Sequence, residues 1–173
     1  MSNDCLGTMR VVSRDKEAIR RFENIMQYKD DEFFCYKVKW FNRALITTED
    51  GYWQAIYHFD VGWCMRHWFE DDDEPGDIII KGYTKDNNPI YGTAHYTSVT
   101  HLCKALGIGV EAFSTDPEMQ LAEHAACGYN GNYDYRWEYY SEDESGNEIM
   151  NGFGNSFEVY GNKEEIYNGR KVN

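Results

Sequence analysis

The residues whose types and spacing come nearest to a reactive centre are scattered histidines, cysteines and acids. Cys64-x-x-His67 is half of a zinc ligand set, and His101, Cys103, His124 and Cys127 are further donors of the kind zinc accepts. A structural zinc needs four converging donors, and the chain has no Cys-x-x-Cys pair. Cys64 and Cys103 fall on apolar helical faces, where free cysteine behaves as a small buried hydrophobe, so core thiols are expected and no metal. The cysteine spacing matches no iron–sulfur pattern either, and no cofactor is expected. His58 and Asp60, two residues apart on one strand, share a face and could form an acid–base pair. Without a nucleophile nearby, a surface hydrogen bond is the simpler reading, and no catalytic residue is assigned. Gly107-Ile108-Gly109 follows a helix and precedes a strand, the reverse of the order a dinucleotide-binding loop requires.

The strongest chemical signal is charge. The 173 residues carry a formal net charge of −13. Residues 1–60 hold nine Lys/Arg against ten Asp/Glu, whereas residues 61–173 hold eight against twenty. Within residues 111–165 there are thirteen acids and two bases, and Tyr133, Tyr135, Trp137 and Tyr139 recur at every second position. Phosphate repulsion argues against direct binding to nucleic acid or an anionic membrane. Carboxylates beside aromatics suit a cationic protein surface, because they engage the Arg and Lys that otherwise hold phosphates. The candidate partner-binding residues are Asp71, Asp72, Asp73, Glu138, Glu142, Asp143 and Glu144, with Tyr133, Tyr135 and Trp137. A calcium loop at Glu70–Asp77 lacks the interleaved acids and the glycine of that motif. Simple solubility is the competing explanation for the acidic surface.

Cys5, Cys35, Cys64, Cys103 and Cys127 are odd in number and widely spaced, as reduced cysteines of a cytoplasmic protein are. Met1-Ser2-Asn3-Asp4 lacks the basic and apolar regions of a signal peptide, and no apolar run approaches the roughly 20 residues of a membrane span. The expected location is the cytoplasm.

The elements that must position these side chains follow from periodicity. Leu6–Val12 reads as a strand, and Ser13 as the N-cap of a helix with Ala18, Ile19, Phe22, Ile25 and Met26 on one face. Arg14, Lys16, Arg20 and Arg21 occupy its solvated face. Residues 33–41 and 53–59 alternate with period two around the Asp50-Gly51 turn, predicting a hairpin with Trp53, Ala55, Tyr57 and Phe59 inward. Val61, Cys64, Met65, Trp68 and Phe69 predict a short helix that runs into the acidic loop 70–76. Ile78–Tyr83 is a short strand, Asn87-Asn88-Pro89 a turn, and Thr97–Leu106 a helix closed by Gly107. Ile108, Val110 and Ala112 begin another strand. Residues 118–127 fit either a helix, after Asp116-Pro117, or the first arm of a hairpin turning at Asn130-Gly131 into Tyr133–Tyr139. Ser141–Asn147 is an acidic turn, Phe157–Tyr160 a candidate edge strand, and Lys163–Asn173 a frayed tail.

This order predicts a single α+β domain over 1–173. It has a ferredoxin-like split βαβ core and antiparallel sheet over about 5–140, an inserted short helix and acidic loop, and a C-terminal hairpin and acidic extension over 141–173.

Asn3-x-Cys5, Ala18-Ile19-Arg20-Arg21-Phe22, Leu102-Cys103-Lys104-Ala105-Leu106-Gly107, Val110-Glu111-Ala112-Phe113-Ser114 and Glu123-His124 ahead of Asn130-Gly131 resemble the YubB-like ferredoxin-domain family of phage and plasmid proteins. The resemblance implies a ferredoxin-like core, a shape rather than an iron–sulfur protein, and an origin on a mobile genetic element in a bacterial host. It brings no catalytic residue. Taken with the acidic aromatic half, the expectation is a non-enzymatic accessory protein that acts by binding. Its partner would be a host nucleic-acid-handling protein such as a CRISPR effector nuclease, making it an anti-CRISPR or antirestriction inhibitor for host defence evasion. Such binding should weaken with salt and with charge reversal across Glu142–Glu144. The alternative is a small cytosolic enzyme or ligand-binding domain using His58, Asp60 or His124 at the sheet. A homodimer through the aromatic strands is compatible with either.

Overall fold

The computed structural model describes residues 4–27, 38–62, 64–70, 76–93, 95–139, 141–142, 144–145, 148–149 and 161–172. The fold is α+β, with a mostly antiparallel sheet and few helices. Six strands form the main sheet: β1 (Asp4–Ser13), β2 (Val38–Glu49), β3 (Tyr52–Gly62), β6 (Gly109–Asp116), β7 (Leu121–Cys127) and β8 (Tyr133–Tyr139). Their spatial order is β2-β3-β1-β6-β7-β8, and every neighbouring pair is antiparallel. Consequently β1 runs parallel to β2 with β3 between them, and β3 runs parallel to β6 with β1 between them. Between β3 and β6 lie the helix α2 (Met65–Phe69), a separate two-stranded hairpin of β4 (Ile78–Tyr83) and β5 (Pro89–Thr93), and α3 (Val99–Leu106).

The period-two pattern sets two faces. Met9, Val11, Ala55, Tyr57, Phe59, Val61, Val110, Ala112, Ala125 and Cys127 pack against α1 (Lys16–Met26), α2 and α3 in one apolar core. Ala18, Ile19, Phe22, Ile25 and Met26 are the buried positions of α1, as their spacing predicts. The turn at Asp50-Gly51 has both residues at positive φ, 53° and 77°, which suits the right-handed twist of the flanking strands.

Several local expectations are corrected. The N-cap of α1 is Asp15, whose side chain accepts from Glu17 N, because Ser13 is still in β1; its Oγ accepts from Asp15 N and donates to Gly107 O. Val61 belongs to β3, pairing with Cys5, and α2 begins only at Met65. Residues 121–127 take the hairpin-arm alternative and not the helical one: Asp116 Oδ1 accepts from Glu118 N and Met119 N, folding 117–120 into a turn that returns the chain beside β6. Beyond β8, the two-residue strands β9 (Ser141–Glu142) and β10 (Glu148–Ile149) pair across the expected acidic turn. Residues 163–173 were expected to fray, yet α4 (Lys163–Asn168) docks on the face of the sheet opposite the other helices, burying Ile166 against Val12 and Tyr52. Its start is a reciprocal cap, with Glu165 N donating to Asn162 Oδ1 and Asn162 Nδ2 to Glu165 Oε1. Close approach depends on two glycines. A Cβ on Gly109 would lie 2.1 Å from Ile166 O, and one on Gly128 would lie 2.4 Å from the carbonyl carbon of Asn168. The edge strand expected at Phe157–Tyr160 lies outside the described residues.

Candidate functional site

The aromatic stripe of β8 lies on the helix-covered face of the sheet, and the helices cover only its first half. Tyr133 stacks on Phe69 at 5.9 Å between ring centroids. Tyr135 donates its hydroxyl to Glu123, with the Arg66 guanidinium 5.7 Å above its ring. Burial, and then Glu70 for Tyr133 and Glu123 for Tyr135, raise the pKa of both phenols, so both stay neutral across the physiological range. Trp137 and Tyr139 extend past this cover, 49% and 60% exposed, in an edge-to-face pair at 5.1 Å. β8 is the last strand of the sheet among the described residues.

The acids predicted to accompany the stripe are divided. Glu138 is half-buried and held by Arg136 at 3.1 Å, because both side chains leave the other face of β8; it is therefore less available to a partner than its sequence position suggests. Glu144 is exposed in the turn after β9. Glu142 belongs to β9, and Asp71, Asp72, Asp73 and Asp143 lie outside the described residues.

Two acids outside the candidate set, Glu123 and Glu111, are fully buried. Glu123 accepts from Met65 N at 2.9 Å, Arg66 N at 3.0 Å, the Cys5 thiol at 3.6 Å and the Tyr135 hydroxyl. It thereby satisfies the open amides at the start of α2. Burial, followed by the proximity of Glu123, raises the pKa of Cys5 and of Cys64, keeping both as thiols. On the opposite face Glu111 accepts from Gly161 N at 2.9 Å, lies 2.8 Å from His124 Nε2, and has the Arg170 guanidinium at 3.6 Å. Arg10, paired in register with Glu111, clamps Gln54 Oε1 through two nitrogens and donates to Gly161 O. Both carboxylates thus direct their oxygens to backbone amides and side chains of segments distant in sequence, Glu123 fastening α2 and Glu111 fastening the segment that enters α4. The signal in the sequence was a lone acid inside an apolar strand, as in Val110-Glu111-Ala112 and Ala122-Glu123-His124-Ala125.

Of the dispersed histidines and cysteines, Cys103 and Cys127 meet, but they are not gathered with the others at one site. His58, Thr8, Phe113, His124 and Arg136 form one row across the sheet, so His58 and His124 are three strand spacings apart, about 14 Å. His58 Nδ1 lies 3.3 Å from Thr8 Oγ1, and His101 Nδ1 lies 2.9 Å from Thr97 Oγ1. Cys103 donates to Cys127 O at 3.7 Å, and burial, then Cys127, raises the pKa of its thiol. Among the described residues no three His, Cys, Asp or Glu side chains are grouped to hold a metal ion, and no helix is long and apolar enough to cross a membrane. A cleft of about 310 Å³ separates the start of β8 from the C-terminal tail, lined by Asn132, Tyr133, Asp134, Gly169, Arg170 and Lys171. Val172 N donates to Asp134 Oδ2 at 2.7 Å at its edge. Comparison with protein-family models, curated proteins and solved structures finds no match to this chain.

Proposed function

We propose that this chain is a binding protein of a phage or plasmid, built on a ferredoxin-like core of the YubB-like kind, that inhibits a host defence nuclease by occupying its nucleic-acid groove. The strand order β6-β1-β3-β2 with two interleaved parallel pairs supports the ferredoxin-like reading, to which β7 and β8 would be an extension. The observation that carries the functional reading is the exposed Trp137–Tyr139 pair on β8, the last strand of the sheet among the described residues, followed within a few residues by the exposed acid of the Glu144 turn. Rigid aromatics supply contact area at small entropic cost, and the Glu144 carboxylate, with Glu142 and Asp143 beside it in sequence, would stand in for phosphates before Arg and Lys of the groove. The chain's net charge of −13 would steer the encounter and make it salt-dependent.

The test is direct binding and inhibition of DNA cleavage across a purified panel of CRISPR effector and restriction nucleases. Inhibition of at least one member should weaken as salt rises. It should fall further in Trp137→Ala and in the triple reversal Glu142→Lys, Asp143→Lys, Glu144→Lys. Equal affinity of the wild-type and reversed proteins would remove this surface from consideration. His58 and His124, on which an enzyme or small-ligand reading would rest together with Asp60, are engaged in separate contacts with Thr8 and Glu111, so no specific observation favours that alternative.

A further inference from the structure

The β4–β5 hairpin stands apart from the main sheet and is apolar on its outer face. Its two strands pair with each other, Ile78 opposite Thr93 and Ile80 opposite Tyr91, with a bulge between Ile80 and Gly82. The alternation, shifted one place by that bulge, puts Ile78, Ile80, Tyr83, Pro89 and Tyr91 on one side. Ile79, on the other side, is buried. Ile78, Ile80, Tyr83 and Tyr91 are between 42% and 78% exposed. Those fractions leave on the order of 500 Å² of apolar side chain facing water, close to the largest patch that an ordinary monomer shows. A two-stranded hairpin is also marginal unless its apolar face is covered.

From this geometry we infer that the outer face of the hairpin is a homodimer interface, and that its occupant is the same face of a second copy of this chain. Charge separates this partner from the cationic one proposed for β8. Residues 77–93 carry Asp77, Lys81, Lys85 and Asp86, so the hairpin is neutral within a chain of net charge −13. A basic groove gains nothing electrostatically from a neutral arm, whereas two such arms meet without local repulsion. A two-fold axis that runs the arms antiparallel packs the isoleucines and tyrosines of one against those of the other. Two faces together bury about 1,000 Å², the lower bound for a specific interface, so the dimer is concentration-dependent rather than permanent.

Sedimentation velocity over a concentration series, in about 50 mM and about 500 mM NaCl, tests this. The expected result is a monomer–dimer equilibrium that tightens with salt, because screening relieves repulsion between the two acidic bodies while the apolar contact persists. Ile78→Ser with Tyr91→Ser should weaken it by about tenfold or more without altering the far-UV circular dichroism. Ile80→Lys alone should also weaken it, by setting two like charges against each other at the seam, which keeps the inference testable should the serine variant misfold. A monomer at every concentration, a dimer indifferent to these changes, or a dimer that salt dissociates would each overturn it. None of these outcomes bears on nuclease binding by β8.

Discussion

Replacing Glu123 tests how α2 is held. The helix has five residues, far below the length at which a helix persists in water by itself, so its conformation depends on what it packs against and on its anchored first turn. Glu123 supplies that anchor with four accepted hydrogen bonds, two of them from the backbone amides of Met65 and Arg66. Glu123→Ala leaves these donors unpaired beneath the helix. With unsatisfied buried groups costing about 1–3 kcal/mol each, and partial relief where water reaches Arg66, the net loss should be about 4 kcal/mol. Glu123→Gln keeps one acceptor oxygen but turns an amide NH₂ toward the other pair. The Tyr135 hydroxyl can rotate to accept from it, whereas an N–H of α2 cannot, so one charge-assisted bond is lost, about 2 kcal/mol. Urea unfolding gives both values from the midpoints, and native-state hydrogen exchange at Met65 and Arg66 reports the anchor itself. A Glu123→Gln protein within about 0.5 kcal/mol of wild type, with both amides still protected, would refute the account.

Three further outcomes follow from the same geometry. Gly128→Ala should cost about 2 kcal/mol or more and expose Ile166 and Tyr167, because its methyl would overlap the backbone of Asn168; urea unfolding and exchange of the α4 amides measure this. Stability should fall as pH rises above about 10, since burial and Glu123 raise the folded pKa of Tyr135 while the unfolded phenol releases its proton near its ordinary value. The unfolded state then binds fewer protons than the native one. The contribution is therefore complete below the unfolded pKa, is lost above it, and Tyr135→Phe should make the alkaline decline shallower in melting curves. Trp137→Ala should leave stability within about 0.5 kcal/mol, its ring being half exposed, while lowering affinity for a nuclease partner; a large loss of melting temperature would instead show that the ring is structural.

Local pattern was enough to place most of the scaffold. The i, i+3, i+4 spacing of Ala18, Ile19 and Phe22 and the alternation through Tyr57 and Phe59 each encode a face, because helix and strand periods are properties of the backbone that no neighbour needs to supply. Asp50-Gly51 and Asn130-Gly131 fixed two reversals, and Gly107 one helix end, through positive φ that few residues adopt. The acidic character of the second half is likewise a property of composition.

Tertiary structure decided everything that depends on what lies across from a residue. Residues 121–127 have helical propensity, yet they pair between β6 and β8, since the hydrogen bonds of two neighbouring strands outweigh a preference of a few tenths of a kcal/mol per residue. Tyr133 and Trp137 are indistinguishable by alternation; only the short reach of α2 covers the first and leaves the second to solvent. The partners of Glu111 and Glu123 are not legible locally, because the backbone amides of Gly161, Met65 and Arg66 are brought to them from 50, 58 and 57 residues away. Burial and pairing of a charge are set by non-local neighbours, and that is why the sequence announced the molecule's acidity while only the fold separated carboxylates that hold it together from those left in water.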